Sequence, residues 1–227
     1  MTSRACFVGL LACVVLLVGA APAVSDPPRS VSSYYLGRGD PRLCPSPICG
    51  GVWVKLVNRE TTTCGDGIVR QECYAASVDL RLLRNTEEAR GRLGQLISEG
   101  RALARGKLVR GRVDGFPELD VLVVTEVWPA SSSPARPRGA FYRLRDKGVR
   151  CITIPCFSTH AARLNSGRHV DVSDVDLART GAPRMEQLEA RIRGDITGSG
   201  VIAPGRIVRM GKGRTFVATQ FYERARG

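Results

Sequence analysis

Gly51–Val52–Trp53–Val54–Lys55–Leu56–Val57–Asn58 is a glycine-led stretch whose residues 52–57 alternate well enough for a strand with one buried face. Its Gly-aromatic-cation-Leu rhythm returns 88 residues later in Gly139–Ala140–Phe141–Tyr142–Arg143–Leu144–Arg145–Asp146. Val78–Asp79–Leu80 is echoed by Val175–Asp176–Leu177, and each copy leads into a helix-like stretch. Gly111–Arg112–Val113 is echoed by Gly205–Arg206–Ile207, and Val121–Trp128 by Thr215–Tyr222; both pairs share an offset of 94 residues. The echoes predict an α+β protein of two pseudo-repeated β-β-α-β-β halves, with helices packed on mostly antiparallel sheet.

Working outward, residues 26–43 are rich in Pro, Ser and Gly around Tyr34–Tyr35 and read as a flexible arm. The first half is expected over 44–129, a Ser/Pro/Arg linker over 130–138, and the second half over 139–227. Asn85 and Glu88 imitate a capping box, and Ala89, Leu93, Leu96, Ile97, Leu103 and Ala104 then recur at helical spacing as far as Gly106. Strands are expected at Lys107–Val113 and Asp120–Trp128. In the second half the pattern predicts a hairpin of Phe141–Arg145 with Val149–Ile154 around Asp146–Lys147–Gly148. A helix then starts near Pro183, shows Met185, Leu188 and Ile192 on one side, and stops at Gly194. A hairpin of Val201–Met210 with Thr215–Glu223 closes the chain.

Compartment follows from the first 25 residues. Arg4 precedes an uncharged apolar run, Phe7–Val18, and small residues follow through Ala23, which is the pattern of a cleaved secretory signal peptide. The protein is therefore expected to be secreted or periplasmic. The run is too short for a membrane anchor, and no later segment approaches a spanning length. Of eight cysteines, six lie beyond this segment: Cys44, Cys49, Cys64, Cys73, Cys151 and Cys156. In an oxidising compartment they read as a disulfide framework. Short loops are cheapest to close, so the expected pairs are Cys44–Cys49, Cys64–Cys73 and Cys151–Cys156.

The chain carries a formal charge of +13, and thirty of its 34 basic residues are arginine. Such a charge favours anionic partners such as an envelope polymer or acidic glycan. The candidate polyanion-binding residues are Arg143, Arg145, Lys147, Arg150, Arg206, Arg209, Lys212 and Arg214. Aromatic residues are only 6% of the chain and do not interleave with these cations, which argues against a nucleic-acid surface. No metal site is expected, because the gaps between the first four cysteines are four, fourteen and eight residues rather than zinc knuckles. No cofactor motif occurs: Gly211–Lys212–Gly213–Arg214 precedes no helix that could make it a phosphate loop. His160 and His169 are the only histidines, and His160 reads as a surface loop residue. Asp79 and Asp176, at matching positions, are the one carboxylate pair that could do glycosidase-type work if they faced each other.

The runs Cys44–Pro45–Ser46–Pro47–Ile48–Cys49–Gly50–Gly51, Thr63–Cys64–Gly65–Asp66–Gly67 and Cys73–Tyr74–Ala75 resemble the opening of a bacterial domain-of-unknown-function family. Leu122–Glu126, Phe141–Arg143, Gly148–Thr153 and Ala218–Tyr222 resemble its remaining motifs, over about residues 44–223. The resemblance implies export and one family-wide unit, with no activity attached. The expected function is a non-enzymatic binding or structural role at a bacterial envelope or outside the cell, on acidic polymers. The alternative is a protease-inhibitor-like protein that rigidly presents a disulfide-clamped loop such as Cys44–Cys49, and the third is a hydrolase using Asp79 and Asp176.

Overall fold

A computed structural model describes residues 32–226, the side chains of 193–197 excepted. The expected signal peptide and the first residues of the arm lie outside the described residues. The described residues form one compact unit. It is mostly β, with two α-helices.

In the first part of the chain, β1 is Ser33–Gly39, β2 Val52–Leu56, β3 Thr62–Thr63, β4 Val69–Arg70, β5 Cys73–Ala75 and β6 Ser77–Asp79. Helix α1, Glu87–Ser98, precedes β7, Ala102–Val113, and β8, Phe116–Pro129. Six of these strands form a sheet in the order β5-β2-β1-β7-β8-β6, and β3 pairs with β4 apart from it. Further on come β9 Ala140–Asp146, β10 Thr159–Arg163, β11 His169–Val172, β12 Asp174–Asp176, helix α2 Arg184–Thr197, β13 Val201–Met210 and β14 Gly213–Ala218. They build a second six-stranded sheet, β11-β10-β9-β13-β14-β12. All pairings are antiparallel except β6 with β8 and β12 with β14.

Tyr34–Tyr35 does not sit in a loose arm. It lies in β1, near the middle of the first sheet and buried on both faces. Gly37 made this strand read as loop, yet a Cβ there would lie 2.6 Å from the Ile97 carbonyl of the overlying helix. The glycine is what lets α1 approach.

Helix α1 is capped one residue later than expected, by Thr86, whose hydroxyl accepts from the Ala89 N–H. It ends at Ser98, eight residues before Gly106. Gly100 takes a left-handed φ of 71°, its N–H bonds Ile97 O, and the Arg101 N–H bonds Leu96 O. That pair of bonds closes the helix and turns Leu103 and Ala104 into β7. Asp114 and Gly115, both at positive φ, then form a two-residue turn that joins β7 directly to β8.

The second sheet corrects two further expectations. Strand β9 pairs with β10 and β13, while Val149–Ile154 is loop rather than strand. Gly51–Asn58 and Gly139–Asp146, which sound alike, also occupy different places. The first contributes β2, which pairs with β1 and β5, whereas the second contributes β9, flanked as β1 is.

Three apolar clusters hold the unit together. Leu93 and Ile97 of α1 pack on Val54, Leu122 and Val124 of the first sheet. Ala190 of α2 packs on Leu144, Leu177 and Phe216 of the second. Between the sheets, Tyr34, Leu103 and Trp128 meet Leu164, Ile202 and Tyr222. The C-terminal segment joins the two sheets: Tyr222 exchanges backbone hydrogen bonds with Ile202, while Glu223 and Ala225 donate to Pro129 and Val127. Helix α2 continues past Gly194 to Thr197, and its Met185, Leu188 and Ile192 face solvent, because the side it buries carries alanine.

Candidate functional site

All six cysteines pair locally, as Cys44–Cys49, Cys64–Cys73 and Cys151–Cys156. Their Cα–Cα separations of 5.4 to 5.5 Å are those of ordinary disulfides. They differ in surroundings. Cys64 and Cys73 are buried in the first core. The Cys44–Cys49 loop is tied down: the Tyr74 hydroxyl donates to Pro47 O and accepts from the Gly51 N–H, and Arg42 donates to Ile48 O.

The Cys151–Cys156 loop is the opposite case. Ile152 and Ile154, inside the clamp, are 105% and 96% exposed, and Val149 beside it is also exposed. The loop is anchored at its base. Lys147 N–H donates to Ser158 O, Ser158 N–H to Cys156 O, and Gly148 N–H to the Asp146 carboxylate. Gly213, at the end of the β13–β14 turn, brings the neighbouring hairpin alongside. A Cβ there would stand 2.6 Å from Ser173 Oγ and 3.3 Å from Pro155. Between loop and hairpin lies a cavity of about 280 Å³ lined by Ile154, Pro155, Met210, Lys212 and Asp174 among others.

The hairpin makes this end basic. Arg209 and Arg214 are directly opposed across β13 and β14. Like charges facing each other on a ladder are unfavourable, and neither Arg209, Arg214 nor Lys212 has a carboxylate within ion-pair distance among the described residues. The Arg214 guanidinium lies 4.9 Å from the Phe157 ring centroid. Lys147 and Arg150 are nearer neutral, paired with Asp171 and Asp146 at 2.6 and 2.8 Å. These arginine and lysine partners hold both carboxyls below the usual carboxylate range, with His160 adding to the effect at Asp171.

The eight candidate cations therefore form no single patch. Arg143, Arg145 and Arg206 alternate with core-facing Leu144 and Ile207, so they lie on the sheet face away from α2. Arg143 is committed internally: its Nε donates to Ser199 O, and its guanidinium lies 5.1 Å from the Trp128 ring centroid. Burial pushes its pKa down. Lys147, Arg150, Arg209, Lys212 and Arg214 gather at the loop and hairpin end. The isoleucines between them escaped the charge-based reading, although two apolar residues inside a five-residue cysteine spacing were their signal.

The catalytic alternatives do not assemble. Asp79 and Asp176 sit on separate sheets, and each accepts from the backbone N–H two residues on. Asp79 is also paired with Arg81 at 2.8 Å, and that guanidinium lowers its pKa. His160 pairs with Asp171, and its ring lies 5.0 Å from that of His169. Cys64, Asp66 and Asp120 bring their donor atoms within 4.8 Å of one another. Cys64, however, is bonded to Cys73 and offers no thiolate, and the two carboxylates pair with Arg70 and Arg110.

A family model described as a domain of unknown function, DUF6748, matches residues 33–227. The chain belongs to the DUF6748 family. The match begins at the first residue of β1 and takes in both sheets, so the DUF6748 unit is wider than the 44–223 span suggested by the motifs. No curated protein and no solved structure matches the chain. Among the described residues of this DUF6748 protein, no helix is long and apolar enough to cross a membrane, and its three disulfides fit an oxidising compartment.

Proposed function

We propose that this protein is an exported, non-enzymatic binding module of a bacterial envelope or extracellular space that contacts an anionic partner. The signal-like N-terminus, the three disulfides and the formal charge of +13 support export and an acidic target. The observation that carries the reading is the opposed Arg209–Arg214 pair with Lys212 at the turn between them, without a carboxylate in ion-pair distance among the described residues. A protein that keeps such a repulsion gains when an external anion relieves it.

The test is retention of the exported protein on a dextran sulfate resin across a salt gradient. An Arg209→Ala/Lys212→Ala/Arg214→Ala variant should elute at clearly lower salt than a control that loses three cations elsewhere, such as Arg92, Arg112 and Arg136. Equal elution of the two variants would remove the reading, leaving only bulk charge.

We further infer that the unit arose by internal duplication. Both sheets share one strand order. Gly106 and Gly205 each pack against a facing carbonyl, with an added Cβ 2.1 Å from Val123 O and 2.2 Å from Val217 O. Those two carbonyls are 94 residues apart, the offset already visible between Val121–Trp128 and Thr215–Tyr222.

A further inference from the structure

We infer that the partner met by the basic end of the second sheet is an anionic phospholipid surface, into which the Cys151–Cys156 loop inserts Ile152 and Ile154. This rests on the anionic-partner reading above and names its chemical class.

The shape of the site selects the occupant. Ile152 and Ile154 expose as much surface as free residues do, and Met210 of the adjoining hairpin is 65% exposed. Apolar side chains that project outward match a soft medium that can close around them. A protein partner would instead have to offer a preformed socket for each. The clamp keeps both isoleucines within a five-residue span closed by a disulfide, so little chain entropy is lost when they are buried. Lys212 lines the same cavity as Ile154, Arg214 lies over Phe157 just beyond the clamp, and Arg209 faces Arg214 across the hairpin. Apolar residues ringed by cations are the composition of an interfacial anchor, in which hydrocarbon burial and headgroup attraction add.

The equivalent loop of the first half makes the contrast. Cys44–Cys49 has its Pro47 buried and its chain fastened by Tyr74 and Arg42. Asp40 holds the nearby Arg42 at 2.8 Å. The first clamp exposes Ile48 by about half, whereas the second holds two isoleucines almost wholly exposed beside Arg209, Lys212 and Arg214, which have no carboxylate within ion-pair distance among the described residues.

The experiment is co-sedimentation of the exported protein with vesicles of phosphatidylglycerol mixed with phosphatidylcholine, and with vesicles of phosphatidylcholine alone. Binding to the anionic vesicles and not to the neutral ones is expected. Burying an isoleucine is worth about tenfold in partition, so Ile152→Ser/Ile154→Ser should bind roughly a hundredfold more weakly. That variant should keep its dextran sulfate elution and its melting temperature, because both side chains lie outside every core. An Ile154→Trp variant should blue-shift its fluorescence only with the anionic vesicles. Wild-type protein that ignores anionic vesicles while still binding dextran sulfate would overturn the lipid assignment and leave the anionic-partner reading intact. Serine variants that bind vesicles as tightly as wild type would overturn insertion. Isoleucine-dependent capture of a protein, with no vesicle binding, would place a protein there instead.

Discussion

Asn58 and Asn165, 107 residues apart, each make the same three hydrogen bonds to distant backbone, Asn58 around Phe141 and Asn165 around Tyr34. Asn58 accepts from Phe141 N–H and donates to Phe141 O and Leu164 O, at 2.8, 2.8 and 3.1 Å. Asn165 accepts from Tyr34 N–H and donates to Tyr34 O and Val57 O, at 2.8, 2.8 and 3.0 Å. Phe141 and Leu164 stand 107 residues after Tyr34 and Val57, so the second set of bonds repeats the first at that offset. Both asparagines adopt left-handed φ, 60° and 53°, a conformation that Asn tolerates better than most residues.

Replacing either asparagine by alanine removes three long-range hydrogen bonds and leaves a side chain poorly suited to left-handed φ. Asn58→Ala and Asn165→Ala should each lower the unfolding free energy by about 3 kcal/mol in urea titrations. Asn58→Asp should lose further stability as pH rises above about 4, because a carboxylate would then face two carbonyl oxygens. Unequal losses at the two positions, or no pH dependence for the aspartate variant, would count against equivalent roles.

Glu126 is the second polar tie. It lies in an apolar strand that suggests a solvent-facing carboxylate, yet it is buried. It accepts from the Trp128 indole N–H at 3.1 Å and from Arg105 at 2.9 Å, with Arg224 at 3.3 Å. Its counterpart Gln220 accepts from Ser131 Oγ and from the Phe221 N–H, and donates to the Ser133 carbonyl. Glu126→Ala would leave a buried indole N–H without a partner and Arg105 without a counter-charge. A loss of about 3 kcal/mol is expected, with Glu126→Gln costing less because its amide oxygen can still accept from Trp128. Calorimetry that finds the two variants equal would discard the indole contact as a source of stability.

How far the sequence shows this fold depends on what each glycine does. Trp53, Val54 and the Val121–Trp128 run alternate visibly, so β2 and β8 are legible. Ser33–Gly39 is not, since Gly37 is there for a helix carbonyl that a linear reading cannot see. Leu103 and Ala104 continue the helical period of α1 by coincidence, and only the left-handed Gly100 breaks it. Disulfide pairing was readable because loop-closure entropy decides it locally. The loop and hairpin end was half readable: the cations are plain in the sequence, but their opposition across β13 and β14 depends on register.

Asp40 supplies a pH dependence of known sign. Hydrogen bonds from the Arg42 side chain, with smaller help from the Arg42 N–H and the Trp53 indole, lower its pKa from 3.8 to about 2. A carboxyl depressed on folding stabilises the native state above its unfolded pKa, and that contribution fades as pH falls toward the folded value. Asp66 and Asp79 are depressed in the same direction, chiefly by the Ile68 N–H and by the Arg81 side chain. Wild type should therefore lose stability between about pH 4 and pH 2, and Asp40→Asn should lose less over that window. Melting curves across this range check the point; parallel acid slopes for the two proteins would exclude Asp40 as a contributor.

Burial should separate the disulfides more than loop length does. Cys64 and Cys73 are 5% and 1% exposed within the first core, against Val54 and Leu122 among others. Their bond closes a loop of sequence separation 9, for which lost chain entropy in the unfolded state is worth about 3 kcal/mol. A Cys64→Ala/Cys73→Ala variant also leaves space where the sulfurs were, so its loss should exceed that figure. Cys151–Cys156 closes a shorter loop at the surface, worth about 2 kcal/mol by the same chain entropy and with no core space left behind, so Cys151→Ala/Cys156→Ala should cost less than the core pair. Under mild reductant the exposed bridge should open first, with the core bridge protected until the first sheet unfolds. Thiol labelling followed by peptide mass mapping reads that order. Simultaneous labelling of Cys73 and Cys156 in native buffer would mean that the first core opens far more readily than its packing implies.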